Sequence, residues 1–153
     1  MKPFALRAEW ESGIPEAAWQ AALDDALAED MPRLKRVLIL PPDYTRLHSM
    51  AGQITSHLYR RLAPACRVDV MPALGTHAPM TRAECEAMFP GVPFESIIEH
   101  NWREDVVRLG EVPVDFVAEV SDGLMGDPIP VEVNRRILDP GYDLILSPGQ
   151  VVP

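Results

Sequence analysis

The sequence predicts an α/β fold, with a mostly parallel sheet flanked by helices in a Rossmann-like three-layer arrangement, and a single domain over residues 1–153. Two observations support this prediction. Short apolar segments rich in Val, Ile and Leu, typical of buried strands, alternate with segments whose apolar residues recur at helical spacing. Most of the sixteen prolines lie between these segments, so they indicate element ends rather than disorder.

The first half of the chain predicts three helices and two strands. Pro15 is suited to open a helix, because its fixed backbone angle fits the first turn. Thr81 and Glu84 form a capping-box pattern, in which each side chain satisfies a free backbone N–H of the other residue, so a helix should start there. The predicted strands are 36–40 and 67–74, and the other helices follow Pro15 and cover 50–62.

The second half of the sequence predicts shorter elements. Alternating or continuous apolar residues predict strands, and one stretch ending at Gly123 is compatible with a helix. The predicted strands are 96–100, 106–109, 129–138 and 142–147, and the predicted helix begins near residue 116.

Composition narrows the class of function. The net charge of −9 argues against nucleic-acid binding, which needs a basic surface, but it leaves room for a small anion held by one arginine. No apolar run is long enough to span a bilayer, and no signal peptide is recognisable. Cys66 and Cys85 are too few for a disulfide framework, so we expect a cytoplasmic protein without membrane contact.

Two loops carry the candidate functional residues. Asp43 and Arg46 follow the first predicted strand, and Gly75 and His77 follow the second. Ligands of open α/β sheets bind beyond the carboxyl ends of the strands, so these side chains should meet at one edge if the strands are neighbours. Gly75 would allow a sharp turn or the close approach of a ligand.

Each of these residues also has an ordinary structural interpretation. Asp43 could cap a turn and pair with Arg46, and His77 could bond a backbone carbonyl. As functional groups, Arg46 could bind a carboxylate through its planar fork, and His77 could act as a general base or a metal ligand. No second histidine lies at metal-ligand spacing from His77, so a local metal site is not indicated.

The other three histidines carry weaker predictions. His48 lies beside the Asp43–Arg46 loop and could have a peripheral role. His57 is predicted to be solvated on the outer side of its helix, and His100 is predicted to be structural.

Six segments together resemble the N-terminal domain of the lactate racemase family, whose founding enzymes use a nickel-pincer nucleotide. They are PPDYTR, ALGTHAPMT, EHNWRED, VVRLGEVP, PIPVEVNRRIL and YDLILSPGQVVP, in that order from about residue 36 to the end. The resemblance implies a 2-hydroxy acid racemase or epimerase that transfers a hydride to its cofactor. It also implies that this chain is the N-terminal part of a longer enzyme, with a C-terminal domain as partner.

The resemblance assigns roles by position. Asp43 and Arg46 match the family's Asp-x-x-Arg element, in which the arginine holds the substrate carboxylate. His77 matches one of two catalytic histidines, and Thr45, Gly75 and Thr76 would contact the cofactor. The second histidine follows a Val-x-Pro segment in the family, and here VVP is the last segment, 151–153.

Other family features are missing or altered. Neither Lys2 nor Lys35 stands where the family has its cofactor-attaching lysine, and the nickel-binding histidine is also absent. We therefore expect the 153-residue chain alone to be inactive. Leu47 replaces a usual proline and Ala78 a usual arginine, so the substrate among 2-hydroxy acids stays open.

Two further functions remain open at this point. One is a non-catalytic module on the same fold that binds a carboxylate through Arg46. The other is a hydrolase or metal enzyme with His77 as ligand. A homo-oligomer is possible, because a domain separated from its partner exposes apolar surface.

Overall fold

The computed structural model describes residues 1–9 and 11–150. The chain divides into two compact units. The first comprises Met1–Glu99 and Gly141–Pro153, and the second is His100–Pro140. The predicted Val-x-Pro segment at 151–153 lies outside the described residues.

The first unit contains a parallel three-stranded sheet with helices. Its helices are α1 (Glu16–Leu27), α2 (Ala51–Leu62) and α3 (Arg82–Met88). Its strands are β1 (Arg36–Ile39), β2 (Arg67–Val70) and, after the second unit, β5 (Leu144–Leu146). The predicted class of a parallel sheet flanked by helices is confirmed.

The strand order is β2-β1-β5, with β1 in the centre. Val37 of β1 pairs with Val68 on one side and with Leu144 on the other. Because all three strands are parallel, the loops that follow them emerge at one edge of the sheet. The chain leaves β1 toward β2 and returns on the opposite side as β5, so the carboxyl edge between β1 and β5 is a topological switch point, where such folds bind ligands.

Alternate residues of the strands pack into two different apolar clusters. Val37, Ile39 and Val70 belong to the larger cluster, which includes residues of α1, α2 and α3. Leu38 belongs to a smaller cluster with Met71 and Tyr142. The alternation follows from the period of two in a strand, which directs successive side chains to opposite faces of the sheet.

The capping box at the start of α3 is confirmed. Thr81 Oγ1 accepts from the Glu84 N–H at 3.3 Å, and Glu84 Oε2 accepts from the Thr81 N–H at 2.7 Å. This reciprocal pair ends the loop that contains His77 and gives α3 a defined first residue.

The second unit is an antiparallel pair of strands with one short helix between them. β3 (Val106–Val112) pairs with β4 (Ile129–Asn134), and α4 is Val114–Val120. The predicted helix therefore begins two residues earlier than residue 116 and ends before Gly123, which has a positive φ of 78°. These strands form a separate sheet, so the expected mostly parallel sheet is parallel only in the first unit.

The strand predicted at 96–100 is wrong. Pro93 introduces a 3-10 turn at Phe94–Ser96, and the segment after it makes a single parallel bridge from Ile97 to Val70. An apolar run of this length cannot by itself distinguish a strand from a buried turn. Within the described part of the chain, none of the helices combines the length and the apolar character that crossing a bilayer requires.

Candidate functional site

Asp43 opens the loop that leaves the central strand. It precedes a 3-10 turn at Tyr44–Arg46, and its carboxylate caps this turn. Oδ1 accepts from the Thr45 N–H at 3.1 Å and from Thr45 Oγ1 at 2.5 Å. The Asp43 side chain is only 8% exposed, so the turn holds one buried carboxylate in a fixed orientation.

His77 reaches the same carboxylate from the loop after β2. Its Nδ1 lies 2.5 Å from Asp43 Oδ2, although the two residues are 34 positions apart. Gly75 has a φ of +57°, and the His77 N–H donates to the carbonyl of Leu74 at 3.0 Å, so a tight turn directs the imidazole toward Asp43. The imidazole is 58% exposed, which leaves its other nitrogen open to solvent or a ligand.

The charge state of Asp43 follows from these contacts. Burial alone would raise the pKa of the Asp43 carboxyl, but the hydrogen bonds from Thr45 and His77 outweigh it, and the pKa lies below its usual 3.8. Asp43 is therefore ionised at neutral pH and can only accept hydrogen bonds. His77 Nδ1 must then carry a proton, and in the neutral imidazole Nε2 has the free lone pair.

Arg46 ends the turn that Asp43 begins, and it lines a pocket at the carboxyl edge of the sheet. The pocket has a volume of about 460 Å³, and its lining residues are Leu40, Pro42, Arg46, His48, Ala73 and 147–150. Among residues 1–9 and 11–150, the exposed Arg46 side chain has no hydrogen-bond or ion-pair partner. Its guanidinium is thus available to an anion in the pocket.

Some of the predicted site residues are in direct contact with one another, and others are not. Asp43 and His77 are in direct contact, and Arg46 shares a turn with Asp43. His77 is not a lining residue of the Arg46 pocket. Thr45 uses both its N–H and its hydroxyl on Asp43, and Thr76 is exposed next to His77.

Two of the remaining histidines have structural partners. The prediction that His57 is solvated is wrong, because its side chain is 12% exposed and its Nε2 lies 2.9 Å from Asp24 Oδ1. In the second unit, His100 Nδ1 lies 2.9 Å from Asn134 Nδ2, while Asn134 Oδ1 accepts from the Arg136 N–H. The backbone donor fixes the amide, so it is the amide nitrogen that faces His100.

Residues 147–150, which line the pocket after β5, were missed as site residues. Nothing in their composition marks them. The strand order was the missing information, because it places the end of β5 beside the end of β1. The available sequence signals were their position directly after a buried strand and their place in the segment YDLILSPGQVVP.

The described residues do not fit a metal or an attached cofactor by themselves. They contain no group of three or more His, Cys, Asp or Glu side chains placed to hold a metal ion. The backbone N–H of Lys35, just before β1, donates to Asp143 just before β5. Lys35 therefore lies at the opposite edge of the sheet from the Arg46 pocket.

Comparison with known proteins gives a consistent family assignment. The profile of the lactate racemase N-terminal domain matches residues 6–152. No curated protein matches the chain. Among solved structures, a crystal structure of a protein from Thermotoga maritima superposes with a TM-score of 0.75 at 27% identity. The match covers 88% of this chain and 33% of that one, so this chain spans about one third of its length.

Proposed function

The chain belongs to the lactate racemase family, as its N-terminal domain, and we propose that it forms part of a 2-hydroxy acid racemase or epimerase. In this proposal Arg46 binds the substrate carboxylate, and His77 exchanges a proton with the substrate hydroxyl. The observation that carries the proposal is the contact between buried Asp43 and exposed His77 in the turn that ends in Arg46.

The His77 step follows from the Asp43 contact. The Asp43 carboxylate holds the proton on Nδ1, so Nε2 is the nitrogen that accepts the hydroxyl proton of the substrate. Asp43 also stabilises the imidazolium that then forms, because the ion pair stays in place while His77 is charged. In the reverse direction the same Nε2–H returns the proton to the developing hydroxyl.

The Arg46 step follows from the lack of a partner for its guanidinium within the described part of the chain. A guanidinium with two parallel N–H groups fits a carboxylate bidentately, and no ion pair must be broken before the substrate binds. Fixing the carboxylate orients the neighbouring carbon and its hydroxyl, which is the positioning that proton transfer requires.

The rest of the reaction needs groups that the described residues do not supply. The nickel-pincer nucleotide that the family resemblance implies provides hydride-acceptor chemistry, but the described residues offer neither an attachment lysine at the pocket nor a metal-ligand group. We propose that a further domain holds it, in a longer protein of the kind that the Thermotoga maritima chain represents.

A second candidate function uses the same pocket without chemistry. Arg46, which lines this pocket without a partner in residues 1–9 and 11–150, would also suit a module that only binds a carboxylate. The two functions differ in the role of His77, because binding a carboxylate does not require a proton acceptor at Nε2.

Arg46→Lys tests the binding role in both cases. Lysine keeps the charge but loses the bidentate fork, so lactate binding should weaken by about 1.5–3 kcal/mol. We would measure it by NMR titration of the chain with lactate, and by the KM of racemisation in a longer protein that contains it. Arg82→Lys, at an exposed arginine that does not line the pocket, is the matched control. Unchanged affinity in Arg46→Lys would refute the assignment of Arg46.

His77→Gln separates enzyme from binding module. Racemisation of single-enantiomer lactate, followed by optical rotation in the longer protein, should fall by 10²- to 10⁴-fold, the usual contribution of a general acid or base. Lactate binding should persist. A variant with full racemase activity would show that His77 has no catalytic role.

A further inference from the structure

A second basic side chain lines the pocket that contains Arg46. His48 lies two positions after Arg46 and lines the same space of about 460 Å³. Its side chain is exposed, and among the described residues no hydrogen bond or ion pair occupies its ring nitrogens. The pocket wall thus presents two groups that can bind anions and that have no partner among the described residues.

The remaining lining residues make this charge pattern more specific. Leu40, Pro42 and Ala73 are apolar, and the segment 147–150 adds the neutral polar side chains of Ser147 and Gln150. No Asp or Glu belongs to the described lining, although the whole chain has a net charge of −9. Asp43, in the same loop, is not a lining residue of the pocket, and its carboxylate is bound by Thr45 and His77. A local field of this sign favours an anion over a neutral ligand.

The spacing of the two groups sets the size of the anion. Two residues of chain span at most about 7 Å, so the backbones of Arg46 and His48 are close. Both side chains can therefore reach carboxylates at the two ends of a four-carbon acid, while a three-carbon monocarboxylate can occupy only one of them. The Arg46 fork suits the carboxylate beside the hydroxyl carbon, and the imidazole suits the distal carboxylate.

We propose that His48 is a specificity residue that makes this pocket prefer 2-hydroxy dicarboxylates, the class of malate and tartrate, over monocarboxylates such as lactate. The proposal rests on the proposed function, since it assumes that Arg46 holds the carboxylate next to the hydroxyl. It goes beyond that function by assigning a second anion contact and a substrate class.

The test is an NMR titration of the 153-residue chain at pH 6. The ligands are L-malate, L-lactate, succinate and sulfate. We expect malate to bind about fivefold more tightly than lactate. This is the gain expected from one additional ion pair, between His48 and the distal carboxylate, in a partly exposed pocket. Succinate should bind more weakly than malate because it lacks the hydroxyl. It should shift the NMR signals of the same pocket-lining residues of the chain as malate does.

Three variants make the result specific. His48→Ala should lower the affinity for malate to that for lactate and leave lactate binding unchanged. His48→Arg should restore the preference for malate, which a merely structural His48 would not do. Arg82→Gln removes one positive charge that does not line the pocket, and it should leave the ratio of the two affinities as in the unsubstituted chain.

The outcomes separate this inference from the proposed function. If lactate and malate bind equally, and Arg46→Lys weakens both, the Arg46 role stands and the His48 role is refuted. An unchanged malate preference in His48→Ala, or sulfate binding as tight as malate binding, would also refute the His48 role. If neither acid binds to the chain, both proposals fail for this pocket.

Discussion

Replacing Asp43 by asparagine should reverse the tautomer of His77. The substitution is nearly isosteric, so the loop keeps its shape. The Thr45 N–H, which can only donate, fixes the amide oxygen at the position of Oδ1. The amide nitrogen then occupies the position of Oδ2, faces His77 Nδ1, and forces that nitrogen to accept. The imidazole proton therefore moves to Nε2.

The size of the effect follows from the strength of the two hydrogen bonds. A charge-assisted bond contributes about 1.5–3 kcal/mol, and the 58% exposure of His77 favours the lower end. About 1.5 kcal/mol corresponds to a roughly tenfold preference for Nδ1–H in the unsubstituted protein. The neutral amide bond of about 1 kcal/mol favours Nε2–H instead in Asp43→Asn. Because Nε2 then has no lone pair, racemisation in a longer protein should fall by 10²- to 10⁴-fold.

The assay is ¹⁵N NMR of the histidine rings at pH 8, where long-range proton–nitrogen correlations identify the protonated nitrogen. It needs neither cofactor nor substrate. His48 is an internal control, since its ring has no partner among the described residues and should give the same pattern in both proteins. A proton on Nε2 of His77 in the unsubstituted protein, or an unchanged pattern in Asp43→Asn, would contradict the reasoning.

Two further predictions concern stability, measured by urea unfolding. Asp69 is buried and accepts from Arg36, whose side chain is 24% exposed, so Asp69→Asn should cost about 3 kcal/mol. Burial opposes but does not cancel the donors around Asp69, and its pKa lies below 3.8. The Asp69 carboxylate thus stabilises the fold at pH values above its unfolded-state pKa. This stabilisation should be lost as pH falls through the lower folded-state pKa. The loss of stability on acidification should be smaller in Asp69→Asn. Gly52→Ala should cost about 1–3 kcal/mol because its Cβ would collide with the carbonyl oxygen of Met88, whereas Gly126→Ala, in open space, should have little effect. An unfolding midpoint of Gly52→Ala equal to that of its control would contradict the predicted collision.

The sequence by itself determined the elements whose signals are local. The period of apolar residues located α2, and the apolar runs located β1, β2 and β5, because side-chain spacing distinguishes helices from strands within a few residues. The capping box at Thr81 was equally local, since its partners are three residues apart. The same reasoning failed at 96–100, where one apolar run fits either a strand or a turn.

The sequence also located the candidate site in part. Asp43, Arg46 and His77 were identified because each follows a predicted strand, and parallel strands bring such loops to one edge. The position of a residue after a strand predicts the edge of the sheet at which it lies, but it does not predict which side chains it contacts. It could not tell whether Asp43 would pair with Arg46, cap its own turn or reach another loop.

Only the tertiary structure decided those pairings. The order β2-β1-β5 places the loop of His77 beside Asp43 and brings 147–150 into the pocket of Arg46 and His48. Strand order depends on which long-range contacts bury the most apolar surface and satisfy the most backbone groups, and no local pattern encodes that sum. The partner of a buried carboxylate such as Asp43 is likewise fixed only when the chain folds. Burial removes the carboxylate's hydrogen bonds to water, so protein donors must replace them.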